Sequence, residues 1–191
     1  MFSSKNPTPK YTDRSRRKSS LQCYVLIGAP AAGKTTTGRL LARRLGLPFI
    51  DIDERIATVE QKSIGQIFAE KGEDYFRKME AETVANALRH RAVVALGGGA
   101  VVNPIIRHMI SDHHVIWLQV DLTHALQRVG DGSSRPLLSG DVATKWTKLV
   151  ESRLDLYAQC AHYQVITDDL GTEQVVAIIS EIVRKNDDRC D

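Results

Sequence analysis

Residues Gly28-Ala-Pro-Ala-Ala-Gly33-Lys34-Thr35 satisfy the pattern G-x-x-x-x-G-K-[ST] in full. A β-rich run, Tyr24-Val25-Leu26-Ile27, ends on Gly28, and a helical pattern with Leu41 and Leu45 four apart follows. Strand, glycine-rich turn and helix in that order constrain the fold more than any other feature of the chain. The glycines let the backbone curl so that its N–H groups face a phosphate chain, and the helix adds its positive N-terminal end. The expected ATP-binding set here is Gly28, Ala31, Ala32, Gly33, Lys34, Thr35 and Thr36. Lys34 would reach the β- and γ-phosphates, and the Thr35 hydroxyl would face Mg²⁺. The loop establishes nucleotide binding and does not distinguish a kinase from a GTPase, a motor or a binding module.

The rest of the chain repeats the alternation. Short apolar runs at Phe49-Ile50-Asp51, Val93 to Leu96, Val115 to Leu118 and Gln164 to Ile166 are mostly unalternated, as strands buried on both faces are. Helical stripes lie between them: Ile64, Ile67 and Phe68; Phe76, Met79, Thr83, Val84, Ala87 and Leu88; Leu149, Leu154 and Leu156; and Val175 through Val183. Strand-helix alternation predicts a parallel α/β sandwich. Residues 60–72 lie between strand candidates without joining them. Residues 129–141 are polar and glycine-bearing and are expected to form a lid.

Net charge separates a tail from a body. Residues 1–20 carry +5, against +3 for the whole chain, which leaves −2 on the remainder. The tail is rich in Ser, Pro, Lys and Arg, so a disordered basic extension over 1–20 and a single domain over 21–191 are expected. The body's charge gives no case for a nucleic-acid partner. No apolar run approaches the ~18 residues a membrane span needs. Cys23, Cys160 and Cys190 show no metal-ligand spacing and read as free thiols in a reducing compartment, so a cytoplasmic protein is expected.

Asp51 and Asp53 alternate at the end of the second strand candidate, which places both on one face of an extended segment. Carboxylates beside a triphosphate can hold a metal's water shell or accept a proton from a hydroxyl; Asp53 could equally cap the helix that starts at Glu54. Arg77 has Glu73 at i−4 and Glu80 at i+3. It is either a solvated ion pair or a planar fork that Glu80 aims at a carboxylate. Gly97-Gly98-Gly99 follows a buried strand, where backbone can approach a ligand closely or simply turn. Arg135 in the lid and Arg153 in a helical stretch are not singled out by their own surroundings.

In this order the motifs resemble the shikimate kinase family, in the nucleoside-monophosphate-kinase-like branch of P-loop proteins. The resemblance covers about residues 22–185. It rests on Gly28 to Thr35, Asp51-Ile-Asp53, Gly72-Glu-Asp-Tyr-Phe76-Arg77-Lys-Met-Glu80, Gly97-Gly98-Gly99, Arg135-Pro136-Leu137-Leu138 and Arg153-x-x-x-Tyr157. It implies a three-layer αβα sandwich with a five-stranded parallel sheet in the order 2-3-1-4-5. It implies transfer of the ATP γ-phosphoryl to the 3-hydroxyl of shikimate, in aromatic amino-acid biosynthesis; a monomer with no nucleic-acid or membrane partner is expected. It further implies Asp53 as base and substrate contact, with Lys34 and Arg135 as the other catalytic residues. Arg77 and Arg153 would clamp the substrate carboxylate, and Gly97, Gly98 and Gly99 would line the substrate. Thr35 and Asp51 would hold Mg²⁺, and Arg128 would lie near the adenine.

The chain departs from the family pattern in three places. Ala31 stands where the family often has glycine. The lid reads Gly-Asp-Gly-Ser-Ser before Arg135, where the family commonly has an asparagine. Near Leu170 the segment Thr-Asp-Asp-Leu lacks an arginine that some members carry. The residues by themselves leave open a kinase of another small hydroxy-acid such as gluconate, a nucleoside monophosphate kinase, and a nucleotide-gated binding module.

Overall fold

The structure, a computed structural model, describes residues 22–129 and 142–187. The basic tail at 1–20, and Arg135 with nearly all of the expected lid, lie outside the described residues. Five parallel strands form one sheet in the order β2-β3-β1-β4-β5. They are β1 (Tyr24–Ile27), β2 (Phe49–Asp51), β3 (Val93–Ala95), β4 (His114–Gln119) and β5 (Tyr163–Ile166). The connecting helices are α1 (Lys34–Leu45), α2 (Ile52–Glu60), α3 (Ile64–Ala87), α4 (Pro104–Ile110), α5 (Leu122–Val129), α6 (Val142–Glu151), α7 (Leu154–Cys160) and α8 (Thr172–Asp187). A short 3₁₀ turn, Ala100–Val102, precedes α4. The architecture and strand order agree with the sequence-based expectation.

Two separate apolar clusters explain why the strands do not alternate. Tyr24 and Leu26 of β1, with Ile116 and Leu118 of β4, pack with Leu41 of α1 and Val176 and Ile179 of α8. The intervening Val25 and Ile27, with Val115 and Trp117, face Ile52, Ile56, Phe76, Val84 and Ile106 on the other side. β1, β3 and the interior of β4 at residues 115–118 therefore bury both faces, and every position in those stretches is apolar. The polar residues that end these strands are left at the carboxyl edge of the sheet, where the turns of a parallel sheet gather ligand-binding groups.

One local expectation holds and two change. The helical stripe of Ile64, Ile67 and Phe68 lies on residues 64–71, the first turns of α3, entered through a capping box in which Ser63 and Gln66 satisfy each other's orphan groups. The helix is then broken at Gly72 (φ 82°, ψ 172°), which separates it from the Arg77-bearing stretch. Asp51 and Asp53 do not share an extended segment: β2 ends at Asp51, and Asp53 lies in the first turn of α2. The helix cap is Asp51, whose Oδ1 accepts from the Glu54 N–H at 3.2 Å. Finally, the stretch holding Leu149, Leu154 and Leu156 is two helices, and Arg153 sits between them with non-helical backbone (φ −123°, ψ −6°).

Candidate active site

The nucleotide end is built mainly from backbone. Gly33 takes a left-handed conformation (φ 84°) immediately before α1, which turns the loop into the helix N-terminus. Gly28 lies beneath the loop, where a Cβ would stand 2.3 Å from the Leu118 carbonyl oxygen. Lys34 Nζ donates to the carbonyl oxygens of Gly28 and Ala29, both at 2.9 Å, which folds it back over the loop. Ala31 also has a positive φ (68°), a conformation that an alanine adopts only at some cost. Two side chains brace that part of the loop: Trp146 Nε1 donates to the Pro30 oxygen at 3.2 Å, and Arg128 Nη1 to the Ala31 oxygen at 3.4 Å. Arg128 also donates to Thr167 Oγ1 at 3.1 Å and to the carbonyl oxygens of Thr167 at 2.5 Å and Asp168 at 3.1 Å. It thereby ties the last turn of α5 to the loop after β5 and forms part of the cleft wall.

Between the two ends, the Thr35 hydroxyl donates to Asp51 Oδ2 at 2.7 Å. Its two oxygens give Asp51 two tasks, one capping α2 and one facing the phosphate loop. A hydroxyl and a carboxylate oxygen at the head of a phosphate loop are hard oxygen donors of the kind Mg²⁺ takes. A second acidic group, Asp121, His124 and Asp168, has ligand atoms within 4.8 Å of one another. Its members are already committed to one another and to nearby backbone. Asp121 Oδ1 takes the N–H and Nδ1 of His124, both at 2.8 Å, and Asp168 Oδ1 takes the Asp121 N–H. None of the three lines the cleft.

The acceptor end is built from side chains. Arg77, on α3, donates through Nη1 to Glu80 Oε2 at 2.8 Å and through Nη2 to Glu73 Oε1 at 3.0 Å. Glu80 is 1 % exposed, while the Glu73 side chain is 64 % exposed. The Glu80 contact therefore fixes the guanidinium, and the Glu73 pair adds little. Burial, with the Asp53 charge adding to it, pushes the Glu80 carboxyl up to about 7 against the pull of Arg77 and Arg153. The glycine turn fits against these groups. A Cβ on Gly97 would lie 2.6 Å from Asp53 Oδ1 and 3.0 Å from Glu80 Oε1, and one on Gly99 would lie 2.8 Å from Arg77 Nη2. A side chain at either position would have to push these carboxylates or the guanidinium out of place, which gives Gly97 and Gly99 a physical reason beyond flexibility.

Arg153 Nη1 donates to the Gly98 oxygen at 3.2 Å, and the buried Tyr157 hydroxyl donates to the same oxygen at 2.6 Å. Burial holds that phenol proton, raising Tyr157 to about 12. Tyr157 was not legible as a site residue: its i+4 spacing from Arg153 is that of any helical pair. Its hydroxyl locks the glycine turn. Phe68 and Phe76, read from their stripe only as core, also form part of the cleft's apolar wall.

One cleft of about 790 Å³ joins the two ends. The expected residues Ala31, Ala32, Gly33, Lys34, Thr35, Thr36, Asp51 and Arg128 line it on the nucleotide side, and Asp53, Arg77, Gly97, Gly98, Gly99 and Arg153 on the other. Gly28 shapes the loop from below without lining the cleft, and Arg135 lies outside the described residues.

A phosphate loop at the head of a parallel sheet, opening into a cleft with paired arginines, defines a P-loop kinase of the small-molecule type. The shikimate kinase family model matches residues 30–184. The chain belongs to the shikimate kinase family. It is 42 % identical over 164 residues to the shikimate kinase of Thermobifida fusca, spanning 85 % of this chain and 95 % of that one. It is 40 % identical over 156 residues to that of Corynebacterium efficiens, spanning 81 % and 92 %. Among solved structures, shikimate kinase from Acinetobacter baumannii in complex with shikimate superposes with a TM-score of 0.83 at 32 % identity, covering 87 % of this chain and 95 % of that one. The Aquifex aeolicus enzyme gives 0.75 at 34 %, covering 86 % and 98 %.

Proposed function

We propose that this chain transfers the γ-phosphoryl group of ATP to the 3-hydroxyl of shikimate, giving shikimate 3-phosphate and ADP for aromatic amino-acid biosynthesis. The observation that carries the reading is the single cleft with a phosphate loop at one end and two guanidiniums, Arg77 and Arg153, at the other. A small molecule with a carboxylate and a reactive hydroxyl on a rigid ring spans such a cleft. Its carboxylate meets the arginines in a planar fork, and its hydroxyl faces Asp53. Positioning and charge stabilisation then do most of the catalytic work.

The roles divide as follows. Lys34 leaves the carbonyls of Gly28 and Ala29 for the β- and γ-phosphates when nucleotide arrives. Asp53 orients the acceptor hydroxyl and takes its proton as the new P–O bond forms. Gly97, Gly98 and Gly99 present backbone to the substrate, with Gly98 held by Tyr157. Thr35 and Asp51 would hold Mg²⁺, which supplies charge neutralisation at the phosphates. Arg135 would add a further cation there, and Arg128 borders the adenine side. We also propose that the protein acts as a monomer. No helix among the described residues is long and apolar enough to cross a membrane. We also propose a cytoplasmic location, consistent with the free thiols of Cys23 and Cys160, and no nucleic-acid or membrane partner.

A coupled ADP-release assay tests the reading. Release should require both shikimate and Mg²⁺, and gluconate, AMP, CMP and UMP should not replace shikimate. ADP release at the same rate with any of these acceptors, or none with shikimate, would overturn it.

A further inference from the structure

Among the described residues, Glu80 Oε1 is the buried side-chain oxygen left without a hydrogen-bond partner. A buried carboxylate oxygen with no donor is costly, and proteins seldom keep one without a use. Glu80 is one of the residues that line the cleft. Its sister oxygen, Oε2, is occupied by Arg77 at 2.8 Å. Across the Gly97 Cα stands a second carboxylate, because Asp53 Oδ1 and Glu80 Oε1 both lie within 3.0 Å of the position a Cβ there would take. The charged groups facing Glu80 are therefore Arg77 on its own helix, Asp53 at the start of α2, and Arg153 ahead of α7. Glu73 lies on the far side of Arg77. Two cations currently favour the ionised Glu80, while burial and Asp53 oppose it.

We infer that Glu80 takes up a proton when the carboxylate of an anionic substrate occupies Arg77 and Arg153. The inference rests on the functional reading above and adds a proton-linked step to its binding equilibrium. The incoming carboxylate claims part of the field of both guanidiniums. It also brings a negative charge close to Glu80 and displaces water from the cleft. All three effects disfavour the ionised form, so the affinity of Glu80 for a proton rises on binding. The proton comes from solvent, and Glu80 Oε1, the open oxygen, is where it is held. A neutral Glu80 still accepts from Arg77 through Oε2, so the clamp keeps its orientation. It also ceases to repel the neighbouring Asp53 carboxylate. By linkage, protons tighten substrate binding to the same extent that substrate tightens proton binding. Glu80 is thus a positioning residue that also sets the charge balance of the acceptor end. The free group is poised near neutrality, so the effect falls in the working pH range.

Calorimetric titration of the whole chain with shikimate, in buffers of low and high ionisation enthalpy, reads the proton directly. At about pH 8 the expected uptake is about half a proton or more per shikimate bound. The dissociation constant should weaken by about tenfold between about pH 6.5 and about pH 8.5. Glu80→Gln keeps the shape and the acceptor for Arg77, and in it both the uptake and the pH dependence should vanish. Shikimate binding with no uptake in the natural chain, or uptake that survives in Glu80→Gln, overturns the inference. Absence of any shikimate binding in the natural chain would instead overturn the functional reading itself.

Discussion

The two ends of the cleft solve the problem of binding an anion in opposite ways. The nucleotide end uses contiguous backbone: one eight-residue motif, a helix N-terminus, and a lysine that donates to loop carbonyls. The acceptor end uses side chains from segments far apart in sequence. Asp53 comes from the start of α2, Arg77 and Glu80 from α3, the glycine turn from the end of β3, and Arg153 and Tyr157 from around α7. Backbone amides offer the same phosphate cradle to any nucleotide, so that end confers binding with little choice of acceptor. Side chains can be chosen singly, so the other end sets which acceptor is phosphorylated. Burial follows the same division. The acceptor end places Glu80 out of water beside Asp53, whereas the nucleotide end's strain is a single alanine with φ 68°.

If the ends are this different, substitutions should separate them. The largest effect is expected at Lys34. Lys34→Met removes a cation from the transferring group, and kcat should fall by about a thousandfold with the fold intact by circular dichroism. Near-normal turnover would remove Lys34 from the mechanism. Next comes Gly97→Ala, whose methyl group must displace the Asp53 and Glu80 carboxylates. A shift of that size at the acceptor should lower kcat/KM for shikimate by about a hundredfold. Nucleotide affinity, followed by fluorescence titration, should stay within about twofold. A matching loss of nucleotide affinity would show that the glycine turn serves both ends. The smallest effect is expected at Ala31→Gly, which relieves the left-handed alanine but loosens the unfolded chain. Stability in urea should rise by less than about 1 kcal/mol. A fall of more than that would mean the loop gains from the alanine methyl, which packs in the same core cluster as Trp146.

The same contrast accounts for what could be read from the sequence. The phosphate loop was legible because its function is local: glycine positions, a lysine and a hydroxyl at fixed spacing carry the geometry with them. The sheet was legible because the buried stretches of its central strands, such as residues 24–27 and 115–118, have no alternating polar positions. The acceptor end was legible only through the joint order of its motifs, since no local signal marks Arg153 or makes Gly97 different from an ordinary turn. The period-two reading of Asp51 and Asp53 missed the helix that begins between them, because Asp51 ends the strand and caps the helix at once. The break at Arg153 was hidden by leucines whose spacing runs across it. Tyr157 and the open oxygen of Glu80 depend on long-range packing, Tyr157 reaching Gly98 across the fold, and such contacts leave no periodicity behind.

The division of labour itself is tested most directly by titrating Arg77→Ala with shikimate and, separately, with ATP in a calorimeter. Removing one arm of a carboxylate clamp should weaken shikimate by about a hundredfold. ATP, held at the far end by backbone, should bind within about twofold of the natural chain. Equal losses for both ligands, or none for shikimate, would contradict a cleft with separate donor and acceptor ends and would leave Arg77 as a structural ion pair with Glu80.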